Sequence, residues 1–213
     1  MLAAVTVACM FVACSKADDK NTTQSTTASV ENATDKAKIK DSDAINFIKT
    51  SYTKKELGLD KVKEKYDFII IDCPPALSML TINAMTTSDS VLVPIQCEYY
   101  ALEGLGQLIN TIGLVQEHFN PVLLVSTMLV TMFDRRTLLS REVYNEVKGH
   151  YPSIVLNTTI PRSVKISEAP SFSQSVIAYD PRGIGAISYG EAALEIAQRS
   201  QQVLDTIDAR RNK

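Results

Sequence analysis

The sequence has little net charge, few cysteines and no long hydrophobic run, and each absence narrows the possible functions. A net charge of −2 over 213 residues gives no overall basic character, so nucleic-acid binding would need a local basic patch. The four cysteines form no C-x-x-C pair and no Cys/His cluster with zinc spacing. Cys73 and Cys97 end predicted strands, where a small buried hydrophobe is favoured over a redox thiol. With 45% hydrophobic residues, the chain can bury one substantial core.

The first 14 residues, MLAAVTVACMFVAC, are almost wholly apolar but too short to cross a bilayer, which takes about 20 residues. They resemble the apolar part of a secretion signal, and Ala13 before Cys14 resembles a lipoprotein processing site. Cys14 is therefore a candidate for lipidation. Two features count against this: no Lys or Arg precedes the apolar run, and Phe11 stands where the lipoprotein pattern prefers Leu. The alternative is a hydrophobic start to an ordinary domain.

Composition divides the rest of the chain near residue 60. Residues 15–43 are rich in Ser, Thr, Asp and Lys, and they carry too little apolar surface to offset the entropy of ordering. We expect them to form a disordered linker. The linker region extends to residue 60, with one or two short helices in the stretch that begins at residue 44. Residues 61–209 form the predicted folded domain, and residues 210–213 form a tail.

Short apolar runs alternate with helical patterns from Tyr66 onward, which predicts an α/β fold with a mainly parallel sheet flanked by helices. The predicted strands are 67–72, 90–95, 122–130, 154–160 and 175–179. Three helical faces lie between or after them: Leu102, Leu105, Ile109, Ile112 and Val115; Leu139, Val143 and Val147; and Leu194, Ala197, Leu204 and Ile207.

Asp72 is the first candidate functional residue, because it ends the apolar run FIIID and is followed by Cys73, Pro74 and Pro75. Ligands of open α/β sheets bind beyond the carboxyl ends of the strands. A carboxylate there can orient a magnesium ion or its water shell beside a nucleotide phosphate. The prolines fix φ and prevent the strand from continuing, which would make a hinge able to sense a phosphate. The alternative is that Asp72 caps the following helix.

Four segments, in order and at short spacing, make the pattern much more specific. They are YDFIIIDCPPALSMLTINAM, SVLVPIQCEYYALEGLGQLINTI, TMFDRRTLLS and TTIPRSVKISEAPSFSQSVIAYDPRGIGAISY. They resemble the C-terminal two-thirds of the ParA-type chromosome and plasmid partition ATPases, over about residues 61–209. The QCEYYALEG and IPRSVKISEAPSF segments separate this group from the MinD-type ATPases and the nitrogenase iron protein.

The resemblance implies ATP and Mg²⁺ as cofactors, dimerisation around two nucleotides, and DNA binding without sequence preference. It also implies a ParB-type centromere-binding partner that triggers hydrolysis, and a cytoplasmic, nucleoid-associated location. Asp72 would be the Walker B-type acid that holds the magnesium water shell, with Cys73, Pro74 and Pro75 as the switch behind it. The segment 131–136, with Met132 and Asp134, and the pair Pro161 and Arg162 would border the adenine base.

Taken without the family, Pro161 is an ordinary strand-terminating turn and Arg162 a solvated charge. The DNA-binding candidates implied by the resemblance are Lys148, Arg162 and Lys165, with Arg135, Arg136 and Arg141 as secondary ones. Each of these, taken singly, reads more simply as part of a solvated face.

The sequence departs from the family at its N-terminal side. None of its eight glycines is followed by lysine, so the phosphate loop G-x-x-x-x-G-K-[ST] is absent. The resemblance places the family's first strand centrally, between the strand that ends at Asp72 and the strand SVLVPIQ. We therefore expect a sheet with two unpaired buried edges, each unsatisfied group costing about 1–3 kcal/mol.

Three functional hypotheses follow from this departure. The first is a ParA-type ATPase by descent with impaired catalysis. The second is a non-catalytic module that forms homodimers or pairs with an intact homologue. The third is an exported, membrane-anchored lipoprotein whose ParA-like part is incidental.

Overall fold

The sheet contains four parallel strands. The computed structural model describes residues 4–9, 66, 68–73 and 78–212, residues 4–9 by their backbone alone. The strands are β1 (Ala4–Cys9), β2 (Phe68–Cys73), β3 (Ser90–Gln96) and β4 (Leu124–Thr131), in the order β2-β1-β3-β4. All three pairings are parallel. The helices are α1 (Met79–Thr87), α2 (Tyr99–His118), α3 (Leu138–His150), α4 (Val164–Glu168), α5 (Val176–Tyr179) and α6 (Ile184–Arg211), with a 3₁₀ turn at Ala169–Phe172. This confirms the predicted fold class.

Strand β1 fills the central position that the sequence led us to expect to be empty. Its register aligns Ala8 with Asp72 of β2 on one side and with Leu92 of β3 on the other. The expectation of two unpaired edges is therefore wrong. The run AVTVAC is rich in Val and Thr, which favour strands, and its place in the sheet agrees with the alternative of a hydrophobic start to an ordinary domain. Cys14 and the predicted linker 15–43 lie outside the described residues.

The main core lies on one face of the sheet. Alternate residues of β3 and β4, including Val91, Val93, Met128 and Val130, pack there against helices α1, α2 and α3. Helix α2 buries Leu105, Leu108, Ile112 and Val115, and α3 buries Val143 and Val147. The predicted faces of these two helices are confirmed, apart from Leu139, which is 45% exposed.

The second face carries a smaller core formed by α6 over β4, with Leu129, Leu156, Ile160 and Ala192. Helix α6 begins at Ile184, well before Leu194, the first residue of its predicted face. The predicted apolar face of this helix is right only in its last turns: Ile207 is buried and Leu204 half-buried, whereas Leu194 and Ala197 are exposed and Ala192 is buried instead.

Two predicted strands do not form. Residues 154–160 follow β4 through isolated bridges, Met128 to Val155 and Phe133 to Pro161, with Leu156 donating its N–H to the Met128 carbonyl at 2.9 Å. Between the bridges, the N–H groups of Asn157 and Thr158 donate to the Glu195 carboxylate instead of to a neighbouring strand. Residues 176–179 form helix α5, capped by the Ser175 hydroxyl, which accepts from the Ala178 N–H.

No helix among the described residues is long and apolar enough to cross a membrane.

The C-terminal arginines anchor α6 to the sheet, so the predicted 210–213 tail is not wholly free. Arg210 donates to the Leu123 carbonyl at 2.6 Å, and Arg211 pairs with Asp89 at 2.7 Å. The Asp89 side chain is only 5% exposed. Removing its partner leaves a carboxylate with weakened compensation inside the protein.

We therefore expect Arg211→Ala to lower the free energy of unfolding by about 1–3 kcal/mol. Urea denaturation followed by circular dichroism measures this difference. Arg182→Ala, which removes an exposed arginine, is the matched control and should change stability by less than about 0.5 kcal/mol. Equal effects of the two substitutions would contradict the anchoring role.

Candidate functional site

The segments predicted to border a base meet at the carboxyl end of β3 and β4. The Cys97 N–H donates to the Thr131 carbonyl at 3.1 Å, and the Phe133 N–H donates to the Ile160 carbonyl at 3.0 Å. The Arg162 N–H then donates to the Phe133 carbonyl at 3.1 Å. We call the residues so assembled the carboxyl-edge cluster: Glu98, Met132, Phe133, Asp134, Pro161 and Arg162.

Met132 turns the backbone sharply at the end of β4. Its φ of 54° lies in the left-handed region, which residues other than glycine adopt uncommonly. Such conformations cost about 1–3 kcal/mol and concentrate at functional sites. Here the strain is held by the flanking hydrogen bonds of Thr131 and Phe133, which fix the direction in which the following loop leaves the sheet.

Asp134 organises the loop that follows. Its carboxylate accepts from the backbone N–H of Arg136 at 3.0 Å and from the guanidinium of Arg136 at 3.0 and 2.8 Å. These hydrogen bonds lower the pKa of Asp134 to about 2, and those from the Arg136 side chain have a larger effect than the one from its backbone N–H. The carboxylate therefore stays charged and closes its own turn, and any contact with a base would use the acceptor capacity left over.

Arg162 is held against the start of helix α2. Its guanidinium lies 3.0 Å from the carboxylate of Glu98, and both side chains are about half exposed. This ion pair joins the Pro161–Arg162 turn to the end of β3. A surface pair of this kind is worth about 0–1 kcal/mol, so it positions the arginine more than it stabilises the fold.

Asp72 lies at the end of β2, apart from the carboxyl-edge cluster. Its side chain is exposed. In the register of the sheet, Asp72 aligns with Ala8 of β1, which aligns with Leu92 of β3. Strand β3 therefore extends four residues beyond the level of Asp72, to Gln96. Three strand spacings separate β2 from β4, about 14 Å across the sheet. Pro74 and Pro75, predicted to form a switch, lie outside the described residues.

The residues beside Asp72 do not fit a triphosphate. Strand β1 ends at Cys9, one residue past the level of Asp72, and the chain continues as MFVACSKADDK. The first glycine in the whole sequence is Gly58. Phosphate cradles depend on glycines that let successive backbone N–H groups approach the anion, and on a lysine that reaches it. No glycine precedes Lys16 or Lys20, the lysines that follow β1, so the glycine-lysine combination of a phosphate loop is missing. Among the described residues, no group of three or more His, Cys, Asp or Glu side chains could hold a metal directly.

Lys148 is a structural residue and not a free surface charge. Its ammonium donates to the Val155 carbonyl at 2.7 Å and to the Asn157 amide oxygen at 3.1 Å. Burial of the ammonium away from water lowers the pKa of Lys148, and the positive charge of nearby Arg199 lowers it further. The expectation that Lys148 is exposed is wrong, because the amine is used to hold the segment 154–160 in place of a strand ladder.

Lys165 and Arg162 are exposed as predicted, with side-chain exposures of 55% and 57%. Each is paired with a carboxylate, Lys165 with Glu168 at 3.1 Å and Arg162 with Glu98. The hydrogen bond that Lys165 donates to the Glu168 carboxylate raises the pKa of Lys165. Arg135, Arg136 and Arg141 are also exposed.

Glu195 is the residue that the sequence analysis missed. It accepts from the N–H groups of Asn157 and Thr158 and pairs with Arg199. Burial alone would raise its pKa, but the two backbone hydrogen bonds and Arg199 outweigh this and lower it. Its i,i+4 pair with Arg199 is an ordinary feature of a helix surface, and its backbone partners Asn157 and Thr158 lie almost 40 residues away, so the sequence does not single out Glu195.

The lowered pKa of Glu195 predicts a specific pH dependence. The stability it contributes is present above the ordinary pKa of 4.5 and is lost as the pH falls through the lower folded value. We expect Glu195→Gln to reduce the free energy of unfolding by about 1–3 kcal/mol at pH 7, and the difference from wild type to shrink below about pH 4. Urea titrations at several pH values test this, with the exposed Glu191→Gln as the control. A difference that does not change with pH would contradict the role of the carboxylate.

Comparison with known proteins finds a matching domain family and similar sequences. A family model described as "AAA domain" matches residues 20–125. The chain is 55% identical over 140 residues to the sporulation initiation inhibitor protein Soj of Bacillus subtilis, covering 66% of this chain and 55% of that protein. It is 48% identical over 142 residues to the chromosome partitioning protein ParA of Myxococcus xanthus, covering 67% and 50%. The chain thus spans about half the length of the curated relatives it matches.

A solved structure shows the same architecture. It is cobyrinic acid a,c-diamide synthase from Mycobacterium smegmatis with a bound ATP analogue and magnesium, with a TM-score of 0.55 and 36% identity, over 68% of this chain and 52% of that one. The parallel sheet with its flanking helices is therefore that of the P-loop ATPases. Within that class, the sequence matches show that the chain belongs by descent to the ParA-type partition ATPases.

Proposed function

We propose that this 213-residue chain is a ParA-type partition protein that does not itself hydrolyse ATP. One observation carries the proposal: β1 ends beside Asp72, where the phosphates would bind, and continues into a segment with neither glycine nor the G-K pair. The acid that would hold magnesium water is present, but the groups that would grip the triphosphate are not.

The chain has the residues expected beside the base of a nucleotide, but it lacks those expected around the phosphates. Met132 and Asp134 would border an adenine from β4, with Pro161 and Arg162 on the adjoining turn, and the contacts among these segments support this assignment. Asp72 would contact a magnesium ion only through water. Without phosphate ligands it presents a negative charge to an anionic ligand, which is unfavourable unless a cation lies between them.

The proposal is tested by comparing adenosine with Mg²⁺–ATP in calorimetric titrations. Family members with a phosphate loop gain most of their affinity from the triphosphate. For this chain we expect ATP to bind no more tightly than adenosine, and Asp72→Asn to leave both affinities unchanged. ATP that binds more tightly than adenosine, with a dependence on Asp72, would overturn the proposal.

We also propose weak, salt-dependent DNA binding through Arg162 and Lys165. Both are exposed, and phosphate contacts need only positive charge at suitable spacing. Glu98 and Glu168 partly neutralise these two cations, which favours weak binding. The Lys148 amine donates to Val155 and Asn157, so it is not available for a DNA phosphate.

For DNA binding we expect the double variant Arg162→Ala and Lys165→Ala to weaken affinity and to reduce the slope of log K against log salt by about one per lost contact. Fluorescence anisotropy with a short duplex at several salt concentrations measures both. Arg182→Ala is the control for a general loss of positive charge. An unchanged slope in the double variant would leave both residues as solvated surface charges.

A homodimer, an intact homologue and a ParB-type centromere-binding protein are the protein partners we propose from descent. For a chain without a phosphate loop, pairing with an intact homologue is favoured, because the homologue would supply a complete nucleotide site. The proposed location is cytoplasmic and nucleoid-associated. Lipoprotein processing before Cys14 would remove Ala4–Cys9, the central strand of the sheet, which counts against membrane anchoring.

A further inference from the structure

The outer side of helix α6 carries an apolar strip. Ile187 and Leu194 are 51% and 64% exposed, and Gly190, Ala197 and Gln201 lie on the same side of the helix. These five residues, which we call the α6 strip, follow one another at intervals of 3, 4, 3 and 4 positions. This is the spacing that keeps side chains facing a partner helix in a coiled coil. The solvent side of a surface helix usually carries charged residues, and the α6 strip contains none.

The opposite side of α6 packs within the chain. Ala192 belongs to the second core, Tyr189 and Ile196 pack against that core, and Ser188 is buried. The α6 strip therefore faces away from the sheet. Within the described part of the chain, its two large side chains remain more than half exposed.

Gly190 lies in the middle of the α6 strip, although glycine is a poor helix former. Gly185, near the start of the helix, is required by packing within the chain, because a Cβ there would lie 2.7 Å from Ile166. A Cβ at Gly190 would meet no atom within 4 Å among the described residues. Packing within the described chain therefore does not require glycine at 190, whereas close approach of a second helix would.

We propose that the α6 strip pairs with the same strip of a second copy of the chain, with the two helices antiparallel about a two-fold axis. An axis level with Ala192 would place Gly190 opposite Leu194 of the second copy, and Ala197 opposite Ile187 of the second copy. Each large side chain would then face a small one at all four contacts. A two-fold interface must be self-complementary in this way, which favours a second copy over an unrelated partner.

The residues beside the α6 strip are compatible with this pairing. Ile184, which is 58% exposed, continues the apolar surface on one side, and the exposed Ala193 lies on the other. The two Glu191 carboxylates are the like charges that would come near each other, and they are exposed, so salt screens their repulsion. Residues 187–201 span about 21 Å of helix, which is small for a stable interface. We therefore expect a weak dimer that forms at high chain concentration. The inference does not rest on nucleotide or DNA binding.

Gly190→Leu tests the pairing in sedimentation velocity over a range of chain concentrations, without nucleotide. The wild-type chain should pass from monomer to dimer as its concentration rises. The new leucine would overlap Leu194 of the second copy at two symmetric contacts, and we expect Kd to rise at least about tenfold. The monomer should stay folded, because the added side chain meets open space and leucine favours helix. Gly113→Leu, at an equally open glycine of α2, is the matched control and should dimerise like wild type.

Exchanging the two side-chain sizes gives a second readout. Leu194→Ala added to Gly190→Leu would again place a large residue opposite a small one. The double variant should therefore recover a Kd within about threefold of wild type, which damage to the monomer would not allow. If circular dichroism shows that Gly190→Leu is unfolded, Ala197→Leu replaces it, because it would create the same overlap with Ile187 of the second copy.

Several results would overturn the proposal. A wild-type chain that is monomeric at every concentration would show that the α6 strip does not pair. A dimer that persists unchanged in the folded Gly190→Leu variant would use another surface. Failure of Leu194→Ala to restore dimerisation would show that positions 190 and 194 do not face each other. A dimer that forms only with Mg²⁺–ATP would be one assembled around nucleotides.

Discussion

Purified chain should release no phosphate from Mg²⁺–ATP above background, with or without DNA. Catalysis of phosphoryl transfer is mostly positioning and charge stabilisation. In the ParA-type family, backbone N–H groups of the phosphate loop and its lysines supply most of both. Losing one such donor typically costs 10²- to 10³-fold in rate, about 3–4 kcal/mol of transition-state stabilisation. Here the segment after β1 has no glycine and no G-K pair, so we expect these contributions to be lost together.

Asp72→Ala is the decisive control for hydrolysis. Asp72 is exposed at the end of β2, and its removal should not change the background rate. A chelator provides a second control, because any true activity of this class requires magnesium. Turnover that disappears in Asp72→Ala would show that the N-terminal residues supply a phosphate site of an unrecognised kind. The chain would then be an active ATPase, and the proposed function would fail.

Local pattern was sufficient to predict much of the fold. Strands β2, β3 and β4 are apolar and rich in β-branched residues, and α2 and α3 repeat their buried residues at helical spacing, so each element is encoded within its own segment. Residues 154–160 have the same apolar character but do not form a strand, because Glu195 and Lys148 bind their polar groups. The Glu195 contact joins parts of the chain 38 residues apart and the Lys148 contact spans 7 residues, and neither leaves a periodic pattern in the sequence.

In the candidate site, too, some features are encoded in a local segment and others depend on contacts between segments. Asp72 could be found from the run FIIID, because a carboxylate that ends a buried strand is a local signal. The pairing of Arg162 with Glu98 and the left-handed φ of Met132 could not, since they depend on how three separate segments meet at the edge of the sheet. The central position of Ala4–Cys9 was missed for another reason. A short apolar run of Val, Thr and Ala has the same composition in a buried strand as in a secretion signal.

Proline substitutions in strand β1 distinguish a central strand from a secretion signal. We expect the double substitution Thr6→Pro and Val7→Pro to abolish cooperative folding. Successive residues of a central strand direct their hydrogen-bonding groups to opposite neighbours, so the two prolines remove one donor toward β2 and one toward β3. Proline in a central strand also disrupts the ladder sterically, and each buried carbonyl left unpaired costs about 1–3 kcal/mol. The total approaches the roughly 5–15 kcal/mol of net stability of a typical domain.

Urea denaturation followed by circular dichroism should show a cooperative transition in the wild-type chain and none in the double-proline variant. The matched control is Thr6→Ala with Val7→Ala, which changes the same two side chains but keeps both backbone N–H groups. It should retain a cooperative transition, at a lower urea midpoint, because alanine has a weaker strand propensity than Thr or Val. If the proline and alanine variants unfold alike, or if the proline variant is as stable as wild type, then Ala4–Cys9 does not support the sheet. The N-terminal run would then be free to act as a secretion signal, and lipid labelling at Cys14 would become the next experiment.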